Sequence, residues 1–276
     1  MCLRSAYNRS VGKFIAFLAL LALLAMGAAW YSVHRVREFV GPVQTEQHPK
    51  SWLLQLYSQN PREAEQAVQQ LSAQGAAALP TIRAALQNPS APREERKAAL
   101  KACAVLGEVS APIVADVAAE LPDPELTAEA AVALSFMGPD AFPPLRDALA
   151  DHDPTVRREA LRSIGKLRFR APLDARAPLS LLRDGMKDAD SGVRAVAVTY
   201  LGILHAEPTT FIPLLVTALE DEDFAVRRAA ATALGSFGVA ADQAIPALRK
   251  ATNDADEDVA REAGLSIVKI QTAAKK

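Results

Sequence analysis

The chain has 276 residues, half of them hydrophobic but only 5% aromatic, and a formal net charge of −1. Of its 31 basic and 32 acidic side chains, five basic and one acidic lie in residues 1–40, so residues 41–276 carry a net charge of −5. An acidic domain with few aromatic residues matches a phosphate backbone poorly, and this excludes nucleic acid as an expected partner.

Residues 14–33 are an uncharged run of twenty residues, FIAFLALLALLAMGAAWYSV. A helix of that length spans about 30 Å, the thickness of the hydrocarbon core of a bilayer. Trp30 and Tyr31 lie at its far end, where an aromatic belt is expected. We therefore predict a transmembrane helix over residues 14–33. A cleaved signal peptide is the alternative, because residues 27–29, Gly-Ala-Ala, would suit a cleavage site.

Positive charge flanks this segment on both sides. The basic residues are Arg4, Arg9 and Lys13 before it, and Arg35 and Arg37 after it. The small excess on the N-terminal side favours a cytoplasmic tail over residues 1–13. The remainder of the chain would then lie outside the cytoplasm, in the periplasm if the cell is bacterial, and a cleaved signal peptide would place it on the same side.

A short linker over residues 34–50 leads to a region, residues 51–276, in which we predict seven antiparallel helix pairs. The predicted pairs are 51–58 and 61–74, 77–87 and 92–106, 111–121 and 124–137, 139–150 and 154–167, 175–187 and 191–204, 208–219 and 224–237, and 242–252 and 257–271. Cys103, in the second pair, is expected to be a small buried apolar residue.

Proline and glycine mark the repeating unit. Prolines recur at intervals in the low thirties, at Pro80, Pro112, Pro143, Pro178, Pro213 and Pro246. Each would lie near the start of a first helix, where its missing N–H has no intrahelical partner. Glycines are expected to end the second helices in a left-handed cap, at Gly107, Gly138, Gly165, Gly202 and Gly235. A period of this length without a strand signal predicts a stacked array of helix pairs.

A second pattern, D-x-D-x-x-V-R, occurs at residues 151–157, 188–194 and 221–227, and a fourth copy at residues 254–260 lacks the Arg. Together with I-P-x-L before it and A-x-x-x-L-G after it, this pattern resembles the HEAT-repeat family, in the short bacterial form also seen in phycobilisome-lyase HEAT-like repeats. The resemblance is best over residues 139–270 and looser back to Ser51. It implies an all-α fold, an α-solenoid (superhelix) of about seven helix pairs, used mainly to hold other proteins.

The aspartates of this pattern have two expected roles. The second of each pair precedes a helix and should be its N-cap, at Asp153, Asp190, Asp223 and Asp256. For the first of each pair, the family resemblance implies a hydrogen-bonded ladder between repeats. The residues of that ladder would be Asp151, Arg157, Asp188, Arg194, Asp221, Arg227 and Asp254.

We also considered these aspartates as metal ligands, but a calcium loop would need more oxygen ligands and a turn glycine. No catalytic set can be assembled around the four histidines, His34, His48, His152 and His205, and none of them is followed by Glu. We therefore expect neither a metal nor another cofactor, and no catalysis.

The exposed face of the second helices is the best candidate surface for a partner, since it tends to line the concave side of such arrays. A basic stripe on this face would contain Arg158, Arg162, Lys166, Arg228 and Arg261. It could meet an acidic protein partner, although a merely solvated face would show the same residues. We therefore expect a membrane-anchored scaffold that binds an unidentified protein. The alternative is a lyase-like enzyme subunit that binds a small ligand or chromophore.

Overall fold

The structure is a computed structural model that describes residues 49–170 and 176–274. The predicted tail over residues 1–13, the predicted membrane helix over residues 14–33 and almost all of the linker lie outside the described residues.

The described residues form fourteen α-helices and no strand. In chain order these are α1 (Pro49–Gln55), α2 (Pro61–Gln74), α3 (Leu79–Gln87), α4 (Arg93–Leu106), α5 (Val114–Ala118), α6 (Thr127–Leu134), α7 (Phe142–Asp147), α8 (Pro154–Arg170), α9 (Arg176–Gly185), α10 (Ser191–Leu204), α11 (Pro208–Ala218), α12 (Phe224–Ser236), α13 (Ile245–Ala251) and α14 (Glu257–Ala273). From α3 onward successive helices pair. The even-numbered helices are the second helices, and each of them from α2 to α12 also contacts the second helix of the next pair. The prediction of an all-α repeat array is confirmed.

Four of the first helices, α3, α5, α7 and α13, begin two or three residues later than predicted. Single 3₁₀ segments cover residues 75–78, 107–113, 139–141 and 238–244, and the α-helices start only after them. Pro80, Pro143 and Pro246 then occupy the second helical position, where a missing N–H costs little. Pro112 falls within a 3₁₀ segment, whereas Pro213 lies inside α11.

Three of the glycines predicted to cap helices lie inside a helix instead. Gly107 and Gly138 do have positive φ angles, 58° and 83°, at helix ends. Gly165, Gly202 and Gly235, however, lie inside α8, α10 and α12. A Cβ at Gly202 would come within 2.6 Å of the Cβ of Ala233. Glycine is needed there because consecutive second helices approach too closely for any side chain.

The core follows the predicted stripes of the second helices. In α10 the side chains of Val193, Ala197 and Leu201 are buried, and the equivalent residues of α8 and α12 are buried too. Cys103 is fully buried in the second pair. The stretch Arg93–Ala118 has the length and mean hydropathy, 1.5, of a membrane-spanning helix. Of this apolar window 44% is buried, and most of its apolar side chains belong to the hydrophobic core of the first four pairs.

Candidate functional site

The turn inside each of the last four repeats is built by its two aspartates. The first carboxylate accepts a hydrogen bond from the backbone N–H of the second, as in Asp188 Oδ1 with the N–H of Asp190 at 2.9 Å. The second carboxylate caps the following helix, as in Asp190 Oδ1 with the N–H of Val193 at 3.0 Å. The predicted N-cap roles of Asp153, Asp190, Asp223 and Asp256 are confirmed.

An arginine near the start of α8, α10 and α12 joins each of these repeats to the next. Arg194 Nε and Nη2 donate to the two carboxylate oxygens of Asp221, at 2.9 and 2.8 Å. Its Nη1 donates to the backbone carbonyls of Asp188 and Ala189 in its own turn, at 3.0 and 3.1 Å. One guanidinium therefore fixes two successive turns. Arg157 with Asp188, and Arg227 with Asp254, have the same geometry.

The charges of this ladder are only slightly exposed, between 10% and 17% of each side chain. The hydrogen bond from Arg157 lowers the pKa of Asp188, against the opposing effect of burial. The hydrogen bond from Arg227 lowers the pKa of Asp254 in the same way. At Asp221 burial pushes the pKa up, but the hydrogen bonds from Arg194 and from the N–H of Asp223 outweigh it and lower the pKa. All three aspartates are thus held ionised by their partners.

The ladder has one further arginine that the sequence pattern did not reveal. Arg96 of α4 pairs with Glu120 and with Asp123 of the next repeat, where the other repeats offer a single aspartate. Glu120 is almost fully buried, with 3% of its side chain exposed. By the spacing of the other repeats, the first aspartate of this turn would be at position 121, which is a leucine. The two acceptors, Glu120 and Asp123, lie one residue before and two residues after it, so the D-x-D pattern does not identify them.

The ladder is interrupted between the third and fourth repeats. Thr127 occupies the position of the ladder arginine in α6. Its hydroxyl donates to the carbonyls of Leu121 and Asp123 in its own turn, both at 2.8 Å. A threonine is too short to reach the next repeat. In the described part of the chain, Asp151 therefore receives the N–H of Asp153 but no arginine from the preceding repeat.

The predicted basic stripe is accompanied by carboxylates. Arg158 and Arg162 both lie beside Glu159, at 3.6 and 3.1 Å. Lys166 follows in α8 and is half-buried. The five residues therefore form no continuous basic surface, because acidic side chains are interleaved with them.

The stripe continues in the same way at the C-terminal end of the array. Arg228 of α12 and Arg261 of α14 share one carboxylate, that of Asp258, at 3.6 and 2.5 Å. Each of the two clusters, Arg158–Glu159–Arg162 and Arg228–Asp258–Arg261, has one positive charge in excess.

Between these two clusters lies a groove of about 560 Å³ along the exposed faces of α10 and α12, which we call the α10–α12 groove. Small and hydroxyl side chains form most of its wall, and Ile203 adds an exposed apolar side chain. Arg228 and His205 are the only residues with a charged or titratable side chain among those that line it.

The hydroxyl groups of the groove already donate to backbone carbonyls. Thr199 Oγ1 donates to the carbonyl of Ala195 at 2.8 Å, and Thr232 Oγ1 to that of Arg228 at 3.0 Å. Ser236 Oγ lies 2.6 Å from the carbonyl of Ala233 and 2.9 Å from that of Gly202. No side-chain amide is present among the residues that line the groove.

His205 bounds the groove in an unusual backbone conformation. It follows α10 with a φ of 46°, in the left-handed region, where other repeats use Gly107, Gly138 or Gly238. Its ring meets the edge of Phe237, with 5.5 Å between the ring centroids. A non-glycine residue in this region is strained, and such strain is found preferentially at functional positions.

Among the described residues, the side chains that could bind a metal ion are not clustered. No group of three or more His, Cys, Asp or Glu side chains there is arranged to hold a metal ion. Burial raises the pKa of the Cys103 thiol to about 12, which makes it a packing residue and not a nucleophile.

The sequence matches a known family of repeat proteins. A family model described as HEAT repeats matches residues 112–184 and 179–267. No curated protein is similar enough in sequence to count as a relative.

Several solved structures share the fold at low sequence identity. Kap121p is 15% identical with a TM-score of 0.59, over 81% of this chain and 27% of that protein, so this chain corresponds to about a quarter of it. YibA of Escherichia coli is 17% identical with a TM-score of 0.51, over 86% and 85% of the two chains. The complex of CpcE and CpcF of phycocyanin lyase from Nostoc sp. PCC7120 is 21% identical with a TM-score of 0.41, over 80% and 94%. The first two structures, with TM-scores above 0.5, support the fold, and identities this low carry no information about partners.

Proposed function

Because the chain belongs to the HEAT-repeat family, we propose that residues 51–276 are a non-enzymatic scaffold that binds a protein partner through the exposed face of its second helices. The observation that carries the proposal is the α10–α12 groove on that face, whose lining is mostly small and hydroxyl side chains.

We further propose that residues 14–33 anchor the scaffold in a membrane as a single-pass helix, with the array outside the cytoplasm. The support is the uncharged run itself and the small excess of basic residues before it. A C-terminal reporter that is active only in the cytoplasm should stay silent. Strong reporter activity would reverse the orientation and leave the scaffold proposal intact.

A photo-crosslinking amino acid placed in the full-length protein in its own membrane tests partner binding. Thr199 and Thr232 are exposed in the α10–α12 groove, and Thr217 is an exposed control in α11. All three hydroxyls donate to the carbonyl four residues earlier, so the substitutions are matched in structure. We expect an adduct of one defined mass from positions 199 and 232 and none from position 217. Adducts from all three positions, or from none, would contradict the proposal.

A second candidate, an enzyme subunit that binds a small ligand or chromophore, is favoured by one observation. The volume of the groove, about 560 Å³, lies within the range of small-molecule pockets. Purified full-length protein with a visible absorption band or a co-purified small molecule would support this candidate over the scaffold.

A further inference from the structure

Resting on the proposed function, we propose that the α10–α12 groove binds an amphipathic α-helix of the partner, apolar on the face that enters the groove and acidic beside it. An extended peptide is the main competing ligand for such a groove. Three features of the structure separate the two.

The first feature is the hydrogen bonding of the groove. Thr199, Thr232 and Ser236 already donate their hydroxyl hydrogens to backbone carbonyls, so they can accept from a ligand but have no hydrogen left to donate. The carbonyls of a buried extended peptide would find donors only at Arg228 and His205, and an unpaired buried carbonyl is costly. An α-helix satisfies its own backbone and needs only apolar contact.

The second feature is the shape of the wall. Ala195 and Ala229 leave the backbones of α10 and α12 accessible at close range, and Ile203 projects beside them. From Ala195 to Ile203 the groove follows α10 for about 12 Å, at 1.5 Å per residue. That length matches two turns of a bound helix, with contacts at positions i, i+3, i+4 and i+7.

The third feature is charge. The two clusters that flank the groove, Arg158–Glu159–Arg162 and Arg228–Asp258–Arg261, each have one positive charge in excess. Acidic residues beside the apolar stripe of a bound helix would be complementary to both clusters. The undescribed residues 1–48 of this chain have five basic and two acidic side chains, which is the wrong sign for this role.

Three fluorescent 18-residue peptides test the proposal against full-length protein in lipid nanodiscs, with binding to empty nanodiscs subtracted. The first has a helical Leu stripe flanked by Glu, the second has the same residues reordered so that no stripe forms, and the third has Lys in place of Glu. We expect the first peptide to bind at least about tenfold more tightly than the other two.

Variants of the groove supply the controls. Thr199→Glu and Thr232→Glu place a carboxylate against the acidic helix and should weaken the first peptide at least about tenfold. Thr217→Glu, with the matched hydroxyl contact outside the groove, should leave binding unchanged. Circular dichroism should show the same melting temperature for all three variants, since the three positions are exposed.

Several results would overturn the proposal. One such result is binding of the reordered peptide as tight as that of the first, and another is an unchanged affinity of the first peptide for Thr199→Glu and Thr232→Glu. If the natural protein is a dimer that these two substitutions dissociate, the occupant of the groove is a second copy of the chain and not a partner helix. If a natural partner still crosslinks at position 199 while the helical peptide does not bind, the scaffold proposal stands and the helix is wrong. If no partner crosslinks at any position, the scaffold proposal itself fails.

Discussion

Arg194 shows how a single side chain holds two repeats together. Its guanidinium bonds the carboxylate of Asp221 with two nitrogens and two carbonyls of its own turn with the third. Only 10% of the Arg194 side chain and 15% of the Asp221 side chain are exposed, so water cannot easily replace these bonds. A pair of this kind contributes mainly through the cost of breaking it.

Arg194→Ala should therefore lower the free energy of unfolding by about 1–3 kcal/mol, because the carboxylate of Asp221 is left without its partner. The urea midpoint of unfolding measures this. Arg183→Ala is the control, because Arg183 and Asp184 form an exposed ion pair with a long separation of 3.7 Å. This substitution should change the free energy of unfolding by less than about 0.5 kcal/mol. Equal effects of the two substitutions would mean that the ladder contributes nothing.

The ladder should also make stability depend on pH in the acid range. The pKa values of Asp188, Asp221 and Asp254 are lowered in the folded protein. Their contribution is then complete above the unfolded value of about 3.9 and is lost as the pH falls through the folded values. The difference in melting temperature between the natural protein and Arg194→Ala should narrow below about pH 4. A difference that is constant from pH 7 to acid would argue against ionised aspartates in the ladder.

His205→Gly should keep or raise the stability of the fold, by up to about 1 kcal/mol, because glycine adopts a φ of 46° without strain. Gly75→Ala is the reverse experiment. Gly75 has a φ of 53° and a ψ of −128°, a conformation that residues with a Cβ rarely adopt, with open space around its Cβ position, so the alanine should cost about 1–3 kcal/mol through strain alone. A large loss of stability in His205→Gly would show that the contact with Phe237 outweighs the backbone strain.

Among the helices, the closest approach is made by consecutive second helices. Gly202→Ala should cost about 1–3 kcal/mol, since its Cβ would lie 2.6 Å from the Cβ of Ala233. Gly264→Ala should instead stabilise α14 by up to about 1 kcal/mol, because nothing lies within 4 Å of that position. Thermal unfolding of the two variants should shift in opposite directions. Shifts of the same sign would mean that α10 and α12 are farther apart than the structure has them.

The helix pairs could be predicted because apolar stripes, prolines and N-cap aspartates each carry a local signal. The role of Gly202 could not, because a glycine at a helix end and a glycine at a close contact look the same along the chain. Arg96 was missed for a related reason. Its acceptors, Glu120 and Asp123, are displaced from the expected position, and only the path of the backbone brings them to the guanidinium.

The groove could not be predicted either. It depends on which exposed faces of α10 and α12 adjoin and on which hydroxyls are already bonded, and neither is encoded by spacing alone. The sequence did predict the face on which it lies. In the structure, Glu159 and Asp258 lie among the arginines of the basic stripe predicted there. Helical periodicity alone does not show that these acidic side chains contact the arginines.

For the whole molecule, the array is expected to fold without the N-terminal segment. Residues 50–276 form one compact unit, which contains every helix pair except Pro49, the first residue of α1. A protein lacking residues 1–45 should be soluble without detergent and strongly helical by circular dichroism. Aggregation, or a melting temperature well below that of the full-length protein in lipid, would show that the array needs the segment that precedes it.

The ladder has a consequence for how such a protein can change its length. Asp188, Asp221 and Asp254 are spaced by 33 residues, and the arginine that meets each of them makes the same four bonds. In this respect any repeat whose second helix has this arginine can be followed by any repeat whose turn has this aspartate. Unequal recombination between copies of the gene segment would join compatible surfaces at once, with no compensating substitution. The length of the array can then evolve by whole repeats. The junction after the third repeat is an exception, because Thr127 replaces the ladder arginine there.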